Sequence, residues 1–218
     1  MITALDSPAA SERLQAALTA GTRPDPALVG PLVARCAVEP DFFVRDMLTW
    51  ALTRHPADTV VRRLLPELGS EVAQARGQAL HTLSKIGDPR TWPAITAELL
   101  TDADDEVART AWRTAVDLVP DGGEPELAAV LATQFARGDR EVRRSLSRAL
   151  VALGPAALPV LERAATARDA EVRAHALATQ RLVQDPGQDV DALIDQARRA
   201  VALRAGPVAE VSGFDADR

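Results

Sequence analysis

The chain has 218 residues, 47% of them apolar and 26% charged, with one Cys and a formal net charge of −6. That is the balance of an ordinary folded chain able to bury a core, and it excludes an intramolecular disulfide and a cysteine-rich metal site. The acidic balance weighs against a chain built mainly to wrap nucleic acid, and an aromatic fraction of 3% without a single Tyr suits Ala-, Leu- and Val-packed helices better than a sheet.

The opening MITALDSPAASERLQAAL lacks the basic and apolar regions of a secretory leader, and no apolar run approaches the ~18 residues of a membrane span. A cytoplasmic location is expected. A first helix is predicted near 8–20. Five units follow, near 25–55, 56–87, 88–120, 123–154 and 155–184, each a helix pair. Their second helices begin FVRDMLTWAL at Phe43, QARGQALHTL at Gln74, EVARTAWRTAV at Glu106, EVRRSLSRAL at Glu141 and EVRAHALATQ at Glu171. The anchors Val44, Ala75, Val107, Val142 and Val172 recur every 30 to 35 residues. Such a period is one helix–turn–helix unit, which must stack on its neighbours to bury its apolar side.

Apolar residues sit at offsets 0, 4, 7, 8 and 11 from each anchor, as in Val142, Leu146, Ala149, Leu150 and Leu153. They form one face of an α-helix. Acids precede the anchors (Asp41, Asp104, Asp139, Asp169), where a carboxylate caps free N–H groups and complements the helix dipole. Ser70 and Glu71 are the weaker counterpart before the second segment. The first helices of the pairs start at or near Pro, over 56–68, 88–100 and 155–167. Gly87 and Gly154 can end the helices before them, and Pro93 and Pro159 imply late starts or bends. A last helix is predicted over 188–204, and 206–218 reads as a mobile tail outside a single domain of 1–205.

The VRxxAxxAL segments, with IGDPR and LGPAALPVL at the turns, resemble bacterial HEAT repeats of the bilin-lyase-like type over roughly 25–184. The resemblance implies an all-α, right-handed α–α superhelix of about five helix pairs between N- and C-terminal capping helices, with the second helices on the concave side. It also implies that Arg45, Arg76, Arg143 and Arg173 are structural, pairing with acids at the inter-repeat turns. Ala108 stands where the third such Arg would be, so an Arg ladder is interrupted there.

Offsets 2, 6 and 9, with 10 at the edge, face away from the core. They carry Asp46, Trp50 and Arg54; Gly77, His81, Ser84 and Lys85; Arg109, Arg113 and Asp117; Arg144 and Arg148; and Ala174, Ala178 and Arg181. If these line the concave groove, its middle and later parts are basic within an acidic molecule, the footprint of an anionic partner. Trp50, His81, Arg109, Arg113, Arg144 and Arg148 are the candidate partner contacts, set against a plainer reading as solvated or ion-paired side chains.

Trp50 and Asp46, one turn apart, also resemble the Trp and Asp pair of HEAT-like DNA glycosylases, where a ring stacks on a base and a carboxylate stabilises developing positive charge. The plainer reading packs Trp50 against the N-terminal helices. His55, His81 and His175 lie on separate units without the His-Glu pairs of HEAT-repeat iron hydroxylases, and DADDE (102–106) lacks the glycine and glutamate of a calcium loop. Cys36 reads as a small buried hydrophobe. No metal, no cofactor and no catalytic residue is expected. The leading function is a non-catalytic scaffold holding an acidic or phosphorylated partner segment. The alternatives are a nucleic-acid-directed protein (a glycosylase, or an accessory to a DNA-binding regulator) and a bilin-lyase-like protein handling a tetrapyrrole. A further possibility is that the tail, with Glu210, Asp215 and Asp217, occupies the groove.

Overall fold

The computed structural model describes residues 2–185 and 187–205, and among them every regular element is helical. In chain order these are α1 (Ile2–Leu5), α2 (Ala10–Thr22), α3 (Val29–Cys36), α4 (Phe42–Thr53), α5 (Ala57–Leu64), α6 (Ala73–Ile86), α7 (Ala97–Leu100), α8 (Asp105–Leu118), α9 (Glu124–Ala132), α10 (Arg140–Ala152), α11 (Leu158–Ala164), α12 (Ala170–Gln184) and α13 (Val190–Ala205). The expected tail, 206–218, lies outside the described residues. No helix is long and apolar enough to cross a membrane, and no group of three or more His, Cys, Asp or Glu is placed to hold a metal ion, among the described residues.

The even-numbered helices from α2 to α12 each pack on the next, while α3, α5, α7, α9 and α11 each pair with the helix that follows. The apolar stripe read from the anchors is the buried one. Leu48, Leu52, Leu80, Leu83, Leu146 and Leu150 have no more than traces of exposed surface, each stabilising the fold by about 2 kcal/mol.

Proline divides the shorter layer more than its spacing implied. The first helix of the second unit is α5 followed by a 3₁₀ turn over Leu65–Gly69. In the third unit a 3₁₀ turn spans Pro89–Ala94 and only Ala97–Leu100 is α-helical. Pro93 inside that turn has no N–H to donate and crowds the preceding carbonyls, so an α-helix cannot run through it. The expected helix over 88–100 is therefore two short pieces.

Asp41, Asp104 and Asp169 each accept two backbone N–H bonds at the starts of α4, α8 and α12, and Asp139 accepts one from Val142 at α10. The start of α6 has no side-chain cap, and Ser70 serves only the turn before it. Gly87 closes α6 in the left-handed region, at φ 67°.

Arginine ties each turn to the helix that follows it. Nη1 of Arg45 donates to the carbonyls of Glu39 and Pro40, that of Arg76 to Ser70 and Glu71, and that of Arg173 to Ala167 and Arg168. Arg143 makes the corresponding bond to Ala136 through Nη2. Two of the four also meet acids of the next turn: Arg76 holds Asp102 with two bonds, and Arg143 meets Glu171 at 3.0 Å. The hydrogen-bond partners of the Arg45 and Arg173 guanidiniums are carbonyls alone among the described residues. Where Ala108 interrupts the series, Arg137 enters from the following turn and binds Asp105 and the Asp102 carbonyl.

The same device begins one helix earlier than the repeat pattern implied. Arg13 of α2 donates to the carbonyls of Ser7 and Pro8, and its Nε and Nη2 clamp the carboxylate of Glu39, both at 2.7 Å. Glu39 is fully buried and also accepts from Arg35 Nε and the Asp41 N–H. Burial alone would raise this carboxyl, but the bonds from Arg13, Asp41 and Arg35 outweigh it and hold the group at about 2.

A second row of contacts joins successive helices at fixed heights, offset 7 of one meeting offset 5 of the one before. Thr82 faces Thr49, Thr114 donates to the Leu80 carbonyl, and Ser147 meets Thr179 at 2.8 Å. Trp112, at offset 5 of α8, is wholly buried and donates to the Leu100 carbonyl. His175 completes the α10–α12 junction: its Nδ1 accepts from the Ala136 N–H, and its Nε2 lies 3.0 Å from Ser147 Oγ. Burial pushes the imidazole down to about 4, so it is neutral in the folded chain at pH 7.

Candidate functional site

Helical periodicity brings the offset-6 residues of four successive helices into one file: Trp50 on α4, His81 on α6, Arg113 on α8 and Arg148 on α10. Offset 2 forms a parallel file of Asp46, Gly77, Arg109 and Arg144. The two files differ in how their charges are spent.

Arg109 binds Glu106 at 2.6 Å and Glu141 at 3.3 Å, and Arg144 binds Asp191 of α13. Arg113 is exposed and makes one bond, to Thr110 Oγ1. Arg148 and Lys85 are exposed and have no carboxylate partner among the described residues. Ser84 donates to Asp117 at 2.7 Å. Thus Arg113, Arg148 and Lys85 remain available to an anion, while Arg109 and Arg144 are already neutralised.

The far end of this face, expected to be basic, is covered. Ala174, Ala178 and Leu182, the residues of α12 on that side, are buried beneath Leu193, Ile194, Ala197 and Val201 of α13. Asp191 and Asp195 of α13 then reach back to Arg140, and Asp191 also to Arg144. The C-terminal helix therefore covers the last part of the face. The small apolar residues of α12 make this possible, since an Arg at 174 or 178 would be buried without a partner.

Trp50 lies where the plainer reading put it. Its six-membered ring rests on Gly21 of α2, so closely that a Cβ at Gly21 would stand 2.2 Å from Cζ3, and the guanidinium of Arg54 is 5.9 Å from the ring centre. The ring is half-buried and packed against Gly21. Cys36 is buried, and loss of solvent pushes its thiol up to about 12, out of reach of a reactive thiolate. His55 is buried with Nδ1 on the Ala51 carbonyl.

A cavity lies on this face between α4, α6 and α8. Phe42, Asp46, Gly77, Gln78, His81, Asp104 and Arg113 are among the residues lining it, and its volume is about 520 Å³. Burial, with Lys85 and Arg113 nearby, lowers the His81 imidazole below its usual value against the opposing pull of Asp46. This cavity was not foreseen as a unit. The signal for it is Gly77, a helix-interior glycine at a position where the neighbouring helices carry Asp46 and Arg109.

No family model matches the chain, and no curated protein matches it. Among solved structures, an engineered protein shares 21% identity with a TM-score of 0.47, the match covering 90% of this chain and 95% of the other. The complex of CpcE and CpcF of phycocyanin lyase from Nostoc sp. PCC7120 shares 19% identity with a TM-score of 0.37, covering 92% of each chain.

Proposed function

We propose that residues 1–205 form a single HEAT-type solenoid, a right-handed superhelix of five helix pairs capped by α2 and α13, and that it serves as a non-catalytic protein-interaction scaffold. A partner segment lies along the face of α4, α6, α8 and α10, with acidic or phosphorylated residues against Arg113 and Arg148 and with His81 and Trp50 beside the path. The observation that carries this reading is the division of the arginines. Structural guanidiniums in this chain are tied to carbonyls or carboxylates, whereas Arg113 and Arg148 stand exposed on one face without a carboxylate among the described residues. A guanidinium left free in a concave face is a natural partner for carboxylate or phosphate.

The test is a peptide array of acidic and phosphoserine-containing sequences, probed with the full chain and with the R113E/R148E variant. Loss of most captured spots in the variant, with an unchanged melting curve, supports the scaffold reading. Capture of the same spots at the same strength by both forms would overturn it. Arg109 and Arg144 are left intact because reversing them breaks ion pairs inside the fold.

A further inference from the structure

We propose that the cavity between α4, α6 and α8 is a socket for a cationic side chain, an arginine, presented by the partner segment. This deepens the scaffold reading and rests on it. It makes the partner bipolar, with a basic anchor on the α4–α8 side followed by acids toward Arg113 and Arg148.

Four observations converge. First, Gly77 sits in the middle of α6, and a Cβ built on it meets nothing within 4 Å. Glycine inside a helix destabilises it relative to alanine, and no close neighbour here requires it. The bare backbone leaves depth for an incoming group. Second, Gln78 lines the cavity, and its Oε1, shielded from solvent in this rotamer, has no hydrogen-bond partner among the described residues; a turn of the carboxamide presents it to an incoming donor. A buried acceptor without a donor is costly and calls for an N–H from outside. Third, the acids at the cavity are not all consumed: Asp46 makes no side-chain hydrogen bond or ion pair among the described residues, and Asp104 uses Oδ1 for its two capping bonds. Fourth, Phe42 is 66% exposed at the rim, with the guanidinium of Arg45 5.9 Å from its ring centre. The ring offers an apolar wall for the aliphatic stem of a long side chain.

Arg45 and Glu106 also line the cavity, but Arg45 is tied to the Glu39 and Pro40 carbonyls and Glu106 to Arg109. The groups left open are Asp46, the second oxygen of Asp104, Gln78 and Arg113, most of them acceptors. Arginine brings five N–H groups in a planar fork and cannot lose its charge, so it can satisfy Gln78 and Asp46 together. An acidic side chain would meet Asp46 and Asp104 and leave the Gln78 oxygen unpaired. The neutral His81 adds no repulsion to an incoming cation at pH 7. Arg113, also in the lining, limits how far the cation reaches and receives the partner's next acidic residue.

The experiment uses the full chain, ¹⁵N-labelled, titrated with N-acetyl-L-arginine amide and, separately, with its uncharged isostere N-acetyl-L-citrulline amide. The Gly77 amide, in the lining of the socket, is the reporter. Saturable shifts of Gly77, Gln78 and His81 with the arginine probe are expected, with the citrulline probe weaker by at least about tenfold. Asp46→Asn should weaken the arginine probe by a similar factor. Gly77→Met should abolish its binding while the melting temperature holds or rises, because methionine favours a helix more than glycine does. Equal binding of both probes, no saturable shift, or unchanged binding in Gly77→Met would each overturn the socket. Arg148→Glu, outside the cavity lining, leaves the arginine probe bound and weakens only acidic or phosphorylated peptides, so the socket and the wider scaffold reading fail separately.

Discussion

Glu39 is the residue whose loss should be felt most widely for its size. It lies in the turn between α3 and α4, and its carboxylate joins Arg13 of α2, Arg35 of α3 and the first turn of α4. Glu39→Gln keeps the shape and one acceptor oxygen but removes the charge and turns an NH2 toward guanidinium donors. Two routes give the magnitude. Breaking a fully buried ion pair by changing one partner costs about 3–5 kcal/mol. The depression of this carboxyl from 4.5 to about 2 corresponds to roughly 3 kcal/mol of folded-state preference for the charged form. About 3 kcal/mol in a chain of this length lowers the melting temperature by roughly 6–12 °C.

The sign with pH follows from the direction of the shift. A carboxyl depressed on folding contributes its full stability above 4.5, and loses it as pH falls from there through about 2. Urea denaturation followed by circular dichroism, wild type against Glu39→Gln, should show the full gap at pH 7, about half of it near pH 3, and almost none near pH 2. Hydrogen exchange at pH 7 should place the lost protection in α2, α3 and α4 rather than in α10–α13, since helical arrays open locally. A gap below about 1 kcal/mol at pH 7, or one of constant size from pH 7 to pH 2, would refute the account of Glu39 as a charged hub.

His175 gives a second acid transition. Its depression to about 4 adds stability that is complete above 6.5 and lost as pH falls toward 4, so His175→Gln should flatten the urea midpoint's pH dependence across that window while leaving the steeper loss below 4.5 in place. A second pair is Gly21 and Trp50. Gly21→Ala drives a Cβ into the Trp50 ring and should cost about 1–3 kcal/mol. Adding Trp50→Ala should recover much of that loss, and a double-mutant cycle showing strict additivity would mean that the ring swings clear at no cost.

Much of the fold was legible because its signals are local and repeated. A 3.6-residue apolar period places each second helix, acids before the anchors place the helix starts, and glycine with φ above zero places the end of α6. Each depends on backbone geometry within a few residues, and repetition along the chain separates it from chance. A structural role for the arginines at 45, 76, 143 and 173 came only from the family resemblance; in the structure they meet turn carbonyls, joined by an acid at Arg76 and Arg143. Two further signals were present but diluted. Arg13 lies in a segment that lacks the usual Val anchor, so α2 reads as an isolated cap. The buried hydroxyls fall at offset 5 for Thr49 and Ser147 and at offset 7 for Thr82, Thr114 and Thr179, so a search at one fixed offset misses some of them.

What the sequence by itself determined is which face of each helix turns inward and where most helices begin, since these follow from side-chain spacing and capping chemistry. Only the tertiary structure decided how the outward charges are used. Arg113 and Arg144 look alike in one dimension, yet Asp191 arrives from 47 residues away to neutralise Arg144, and no acid meets Arg113 among the described residues. The covering of α12 by α13, the contact of Trp50 with Gly21, and the cavity above Gly77 depend in the same way on which helices lie side by side. Electrostatic pairing and packing act over ångströms in space, and distance along the chain carries no record of them.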